Sequence, residues 1–115
     1  MKLLFFVLNK EELLEELLEA FLELNISGAT ILDSIGMGAI ITHDIPIFAG
    51  FKNLMQGSRP ANKTIITVIE DHMVEKVVRE IERIVGSLNE PGNGILVVMP
   101  VEKVFGFRKP FQPEN

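Results

Sequence analysis

The chain has 115 residues, a formal net charge of −5 and no cysteine. That length suits one domain, residues 1–115, with a core that needs no staples. The missing cysteines exclude disulfides, thiolate nucleophiles and Cys-ligated metal centres, and the negative charge argues against a nucleic-acid partner, whose phosphates ask for a basic footprint. No apolar run approaches the roughly 20 residues of a membrane span, so the protein is expected to be cytoplasmic and not inserted in a membrane.

The first apolar run, Leu3 to Leu8, is too short for a signal peptide and leads into Asn9-Lys10-Glu11-Glu12 rather than a small-residue cleavage site, so it reads as a strand. A helix follows. Asn9 is expected to cap it with Glu12 three residues on, and Leu13, Leu14, Leu17, Leu18, Phe21 and Leu24 form one apolar stripe at three- and four-residue spacing. Its glutamates make a solvated face, and Asn25 to Gly28 ends it. Ala29 to Ile35 reads as the second strand.

About 25 residues of connection come next, from Met37 to Asn62, longer than compact domains use without a purpose. Asp44 is the expected cap and Pro46 the first turn of a short helix there, with Ile47, Phe48, Phe51, Leu54 and Met55 on one side and Gly57 as its stop. Those apolar side chains can dock on the base of the loop, on a neighbouring subunit or on a partner protein.

The strand-helix-strand scheme then repeats. Thr64 to Ile69 is a strand, Asp71 the expected cap, Val74, Val77, Val78, Ile81 and Val85 the buried stripe, and Gly86 the stop. Pro91-Gly92-Asn93-Gly94 precedes the last strand, Ile95 to Met99, with Val101 to Phe105 expected to continue it beyond Pro100.

Strand-helix-strand units are right-handed. Two side by side give an α+β, ferredoxin-like βαββαβ fold: a four-stranded antiparallel sheet with two helices on one face and a long loop between the units. Yet Leu3 to Leu8 and Ile95 to Met99 are continuously apolar, as in strands buried on both faces. Two helices cover one face, so the other is expected to be covered by further subunits of a homo-oligomer.

Catalytic patterns are scarce. His43 and His72 lack metal-ligand spacing, and Ser27, Ser34, Ser58 and Ser87 lack a nucleophile-elbow context, so neither an enzyme nor a metal site is expected. What remain are two glycine turns, Gly36-Met37-Gly38 and Gly92-Asn93-Gly94. They are either backbone cradles for an anion or ordinary turn chemistry.

Taken with Ile26-Ser27-Gly28-Ala29-Thr30, the segment Glu70 to Val78 and Val101-Glu102-Lys103-Val104, these turns make nearly the whole chain resemble the PII nitrogen-regulatory signal-transduction proteins. The resemblance implies a homotrimer with sheets facing the axis. It also implies inter-subunit clefts for an adenine nucleotide, and a protruding T-loop, here about residues 37–62, that engages a partner protein such as a membrane transporter or an enzyme. Residues 106–115 form the C-terminal tail. Thr30 matches the threonine on the adenine side of the cleft, Gly36 and Gly38 with Met37 the base of the T-loop, Gly92-Asn93-Gly94 the phosphate turn, and Arg108 one of two phosphate-gripping arginines. The second arginine falls on Gly106, the phosphate lysine on Ile95, and the loop has no tyrosine. These departures point to a less charged ligand than ATP, such as a nucleotide monophosphate, or to none. Two alternatives stand beside the nucleotide-sensing regulator. One is a trimeric interaction module without nucleotide. The other is a metal- or small-molecule-responsive protein similar to the copper-tolerance trimers, which needs His43 and Asp44 to converge between subunits.

Overall fold

The computed structural model describes residues 1–26, 28–44 and 61–107, without the side chains of residues 42–44. Four strands, β1 (Lys2–Leu8), β2 (Thr30–Ser34), β3 (Asn62–Ile69) and β4 (Ile95–Pro100), form one sheet in the order β2-β3-β1-β4. All three pairings are antiparallel. The helices are α1 (Leu14–Glu23), α2 (Met37–Asp44) and α3 (Val74–Val85), and one 3-10 turn leads into each of α1 and α3. This is the ferredoxin-like α+β plan.

Alternation along β1 explains the layering. Leu4, Phe6 and Leu8 have no exposed surface and pack with Leu17 and Phe21 of α1 and Val77, Ile81 and Val85 of α3 in one core. Burying side chains of this size contributes about 1.5–3 kcal/mol each. Leu3, Phe5 and Val7 point the other way. Register places Leu3 beside Val68 and Met99, Phe5 beside Ile66 and Val97, and Val7 beside Thr64 and Ile95. The described residues of one chain leave that second face uncovered: Ile95 is 61% exposed, and Leu32, Val97 and Met99 are exposed too.

The helix ends follow from local chemistry. After α1, Asn25 takes φ 63°, its N–H donates to Leu22 O at 2.9 Å, and Ile26 N–H donates to Phe21 O at 2.8 Å. This is a Schellman motif with asparagine in the left-handed position and buried Ile26 folded back on the core. Gly86 closes α3 as the sequence suggests, with φ 96°.

Neither expected N-cap forms. Asn9 makes no cap bond; the residue ahead of the first turn is Lys10, and the Asn9 side chain reaches Gly92 and Asn62 instead. Asp71 lies inside the second 3-10 turn, with Glu70 ahead of it. Its carboxylate pairs with the Met1 ammonium at 2.8 Å, and that bond holds its pKa below the usual range. In both cases a partner far along the chain outcompetes the local backbone donors.

Two further expectations are corrected. Val101 to Phe105 does not continue the last strand: β4 ends at Pro100, opposite Lys2, where β1 itself runs out, and only Val101 N–H reaches back to Met1 O at 3.1 Å. The connection is helical from Met37, and Asp44 is the last residue of that helix; the later helix it was expected to cap lies outside the described residues. Gly36 O accepts from Ala39 and Ile40, so the Gly36-Met37-Gly38 segment is a helix start. Ile47, Phe48, Phe51, Leu54 and Met55, expected on one side of a later helix, lie outside the described residues.

Candidate functional site

The candidate residues fall at two ends of the sheet. At one end, Gly36 follows β2, Asn62 opens β3, Asn9 follows β1, and Gly92 to Gly94 precede β4. Thr30 sits at the far end of β2, opposite Ile66. Six residues of extended chain separate Thr30 from Gly36, roughly 20 Å at about 3.3 Å per residue. One chain therefore brings Gly36, Met37 and Gly38 toward Gly92, Asn93 and Gly94, and leaves Thr30 apart. Arg108 lies outside the described residues.

At the loop end the turn is shaped by packing as well as by glycine freedom. Gly94 has φ 109°, and a Cβ there would meet Val7 O at 2.4 Å and the Phe6 ring at 2.9 Å. The Asn93 side chain is turned inward: it is buried, and its amide donates to Ser87 O at 2.7 Å. Only the backbone of this turn is offered to a ligand. Ile95, the next residue, is an exposed aliphatic side chain.

Sequence reasoning missed the polar groups that join this turn to the connection. Asn62 is 5% exposed; its amide oxygen accepts from Ser34 Oγ and its amide nitrogen donates to Asn9 Oδ1 at 3.4 Å. Asn9 Nδ2 donates in turn to Gly92 O at 3.3 Å. Asn62 at the start of the strand, two positions before Thr64 and so on the same face, was the available signal.

Among the described residues, the two lysines at this end are both engaged. Lys10 Nζ donates to Val85 O at 3.0 Å. Lys63 bonds Asp33 and lies 3.7 Å from Glu11, and the Asp33 bond chiefly raises its pKa.

At the Thr30 end an open groove of about 790 Å3 runs between the Schellman turn after α1, the end of β3 and the segment 104–107. Ile26, Ile66, Met73, Phe105 and Phe107 give it an apolar lining, with Thr30 at its edge. Phe105 is 89% exposed. The ionisable lining residues are Glu70 and His72, whose Oε2 and Nδ1 are 3.4 Å apart; among the described residues no lysine or arginine lines the groove. Among the described residues no group of three or more His, Asp or Glu could hold a metal ion, and no helix is long and apolar enough to cross a membrane.

A ferredoxin-like sheet whose second apolar face the described residues leave uncovered, a long connection after its second strand, and glycine segments at the foot of that connection define a small α+β protein. The family model for nitrogen regulatory protein P-II matches residues 1–110, and the chain belongs to that family. A comparison with curated proteins gave no match.

Proposed function

We propose that the protein is a homotrimeric signal-transduction regulator that senses a small adenine-type ligand in clefts between subunits and acts on a partner protein through the connection at residues 37–62. The split of candidate residues between the two ends of the sheet carries this reading. Thr30 and its groove lie roughly 20 Å from the glycine segments of the same chain, so a ligand touching both must bridge two subunits. A trimer with its sheets packed inward also covers Leu3, Phe5 and Val7, which the described residues leave half-buried, and Val97 and Met99, which they leave exposed.

The ligand is less charged than ATP. Among the described residues neither lysine at the glycine end is free, Ile95 offers no charge, and the described lining of the groove carries a carboxylate and an imidazole. Each charged donor to a phosphate contributes roughly 1.5–3 kcal/mol, so triphosphate affinity without them falls by orders of magnitude.

Calorimetric titration with ATP, ADP, AMP and cyclic nucleotides tests this. A monophosphate or cyclic nucleotide is expected to bind more tightly than ATP; tight ATP binding overturns the charge assignment. Absence of binding across the series favours the interaction module, which predicts that deleting residues 45–55 abolishes partner capture and leaves the assembly intact.

A further inference from the structure

We infer that Asn62 and Asn9 are positioning residues that tie the 92–94 turn to both stems of the long connection, a device that rests on the proposed ligand-sensing role of that turn and connection. The two stems are Ser34, where the chain leaves the sheet, and Asn62, where it returns. They face each other in register, and Ser34 Oγ bonds the Asn62 side chain directly. Ser34 Oγ is also 2.8 Å from Thr64 Oγ1.

A hydroxyl has one proton and an amide one accepting and one donating end, and that inventory fixes the direction of the chain. Thr64 donates to Ser34, Ser34 to Asn62, Asn62 to Asn9, and Asn9 to the carbonyl of Gly92. Ser34, Asn62 and Asn9 each accept from one neighbour and donate to the next, so turning the Asn9 amide over breaks two links. No charge is involved, and bonds in such a series reinforce one another.

The links differ in stiffness. The link between Ser34 and Thr64, at 2.8 Å, has the ordinary hydroxyl length. The two outer links, at 3.4 and 3.3 Å, are longer than the usual N–H to O separation of about 2.9 Å, so a shift of a few tenths of an ångström at Gly92 makes or breaks them. Gly94 is wedged against Val7 O and the Phe6 ring, which anchors the far side of the turn on β1. A displacement of the turn by a ligand is thereby directed into Asn9 and on to the stems.

Amide hydrogen exchange on the full chain tests the coupling. Gly92, at φ 87°, is disturbed by Gly92→Ala, and exchange is read over residues 34–44 and 62–64. With Asn9 present, exchange there is expected to rise at least about fivefold, the lower end of typical coupling between sites. In an Asn9→Leu background the same Gly92→Ala change leaves those amides unmoved. Asn9→Asp serves where the leucine variant folds poorly: it still accepts from Asn62 but cannot donate to Gly92, and it too is expected to block transmission. Equal effects of Gly92→Ala with and without Asn9, or no effect in either, overturn the inference. Light scattering and an AMP titration on the wild type separate the two failures: an intact wild-type trimer that binds AMP, in a chain whose variants show no transmission, removes the asparagine device and leaves the proposed function standing.

Discussion

The Nζ of Lys10, at the foot of the first helix, donates to the carbonyl of Val85, the last residue of α3, at 3.0 Å across 75 positions of sequence. An ammonium there satisfies a carbonyl that has no intrahelical partner and sits at the negative end of the helix dipole. It also ties the two strand-helix-strand units together at the sheet end that carries the glycine turn. Lys10→Met is expected to destabilise the fold by about 1 kcal/mol, read as a lower denaturant midpoint with an unchanged slope.

Two glycines of the candidate region respond oppositely to an added methyl group. Gly94→Ala places a Cβ 2.4 Å from Val7 O, against backbone that cannot yield, at a φ of 109°. A loss of more than about 3 kcal/mol is expected. Gly28→Ala meets nothing within 4 Å and needs no positive φ, so it is expected to be neutral or to stabilise by about 0.4–1 kcal/mol. Thermal unfolding of the two variants side by side checks the pair.

Lys63 sets a pH dependence of known sign. Its hydrogen bond to Asp33, aided by the charges of Asp33 and Glu11, raises its pKa above the ordinary lysine value against partial desolvation. A group whose pKa is raised by folding stabilises the folded state below its unfolded pKa, and that contribution disappears as pH climbs through the folded one. The stability advantage of the wild type over Lys63→Gln is therefore expected to be constant up to about pH 10.5 and to shrink above it. Urea unfolding of both proteins between pH 8 and pH 12 reads the difference. An advantage that grows with pH contradicts the assignment.

The elements with long apolar stripes were legible because their pattern and their burial have one cause. Leu17 and Phe21 of α1, and Val77, Ile81 and Val85 of α3, are among the residues that spacing selects and have almost no exposed surface, while Val78, selected with them, is half-buried. Strands with apolar residues on both sides announced the second, uncovered face. The N-caps were not legible, since Asn9 and Asp71 spend their side chains on Gly92, Asn62 and Met1, which no local rule can see. The helix at Met37–Asp44 was hidden by Gly36 and Gly38, which read as turn residues although Gly36 supplies the first helical acceptor. Of the candidate site, the positions of the glycines were readable. The inward turn of Asn93 and the asparagine chain through Asn62 depend on contacts between segments more than fifty residues apart, or on the fold of one turn, and composition carries neither.

The uncovered sheet face makes the assembly the point on which the account rests. Phe5 stands between Ile66 and Val97 in the middle of that face, so Phe5→Asp places a charge at the centre of the proposed subunit contact without touching the helix-side core. It is expected to yield folded, dissociated chains with a far-ultraviolet circular dichroism spectrum close to that of the wild type.

Sedimentation equilibrium of the wild type at micromolar concentration, without added ligand, tests the central claim most directly. A single species of three times the chain mass is predicted, and a monodisperse species of one chain mass contradicts it.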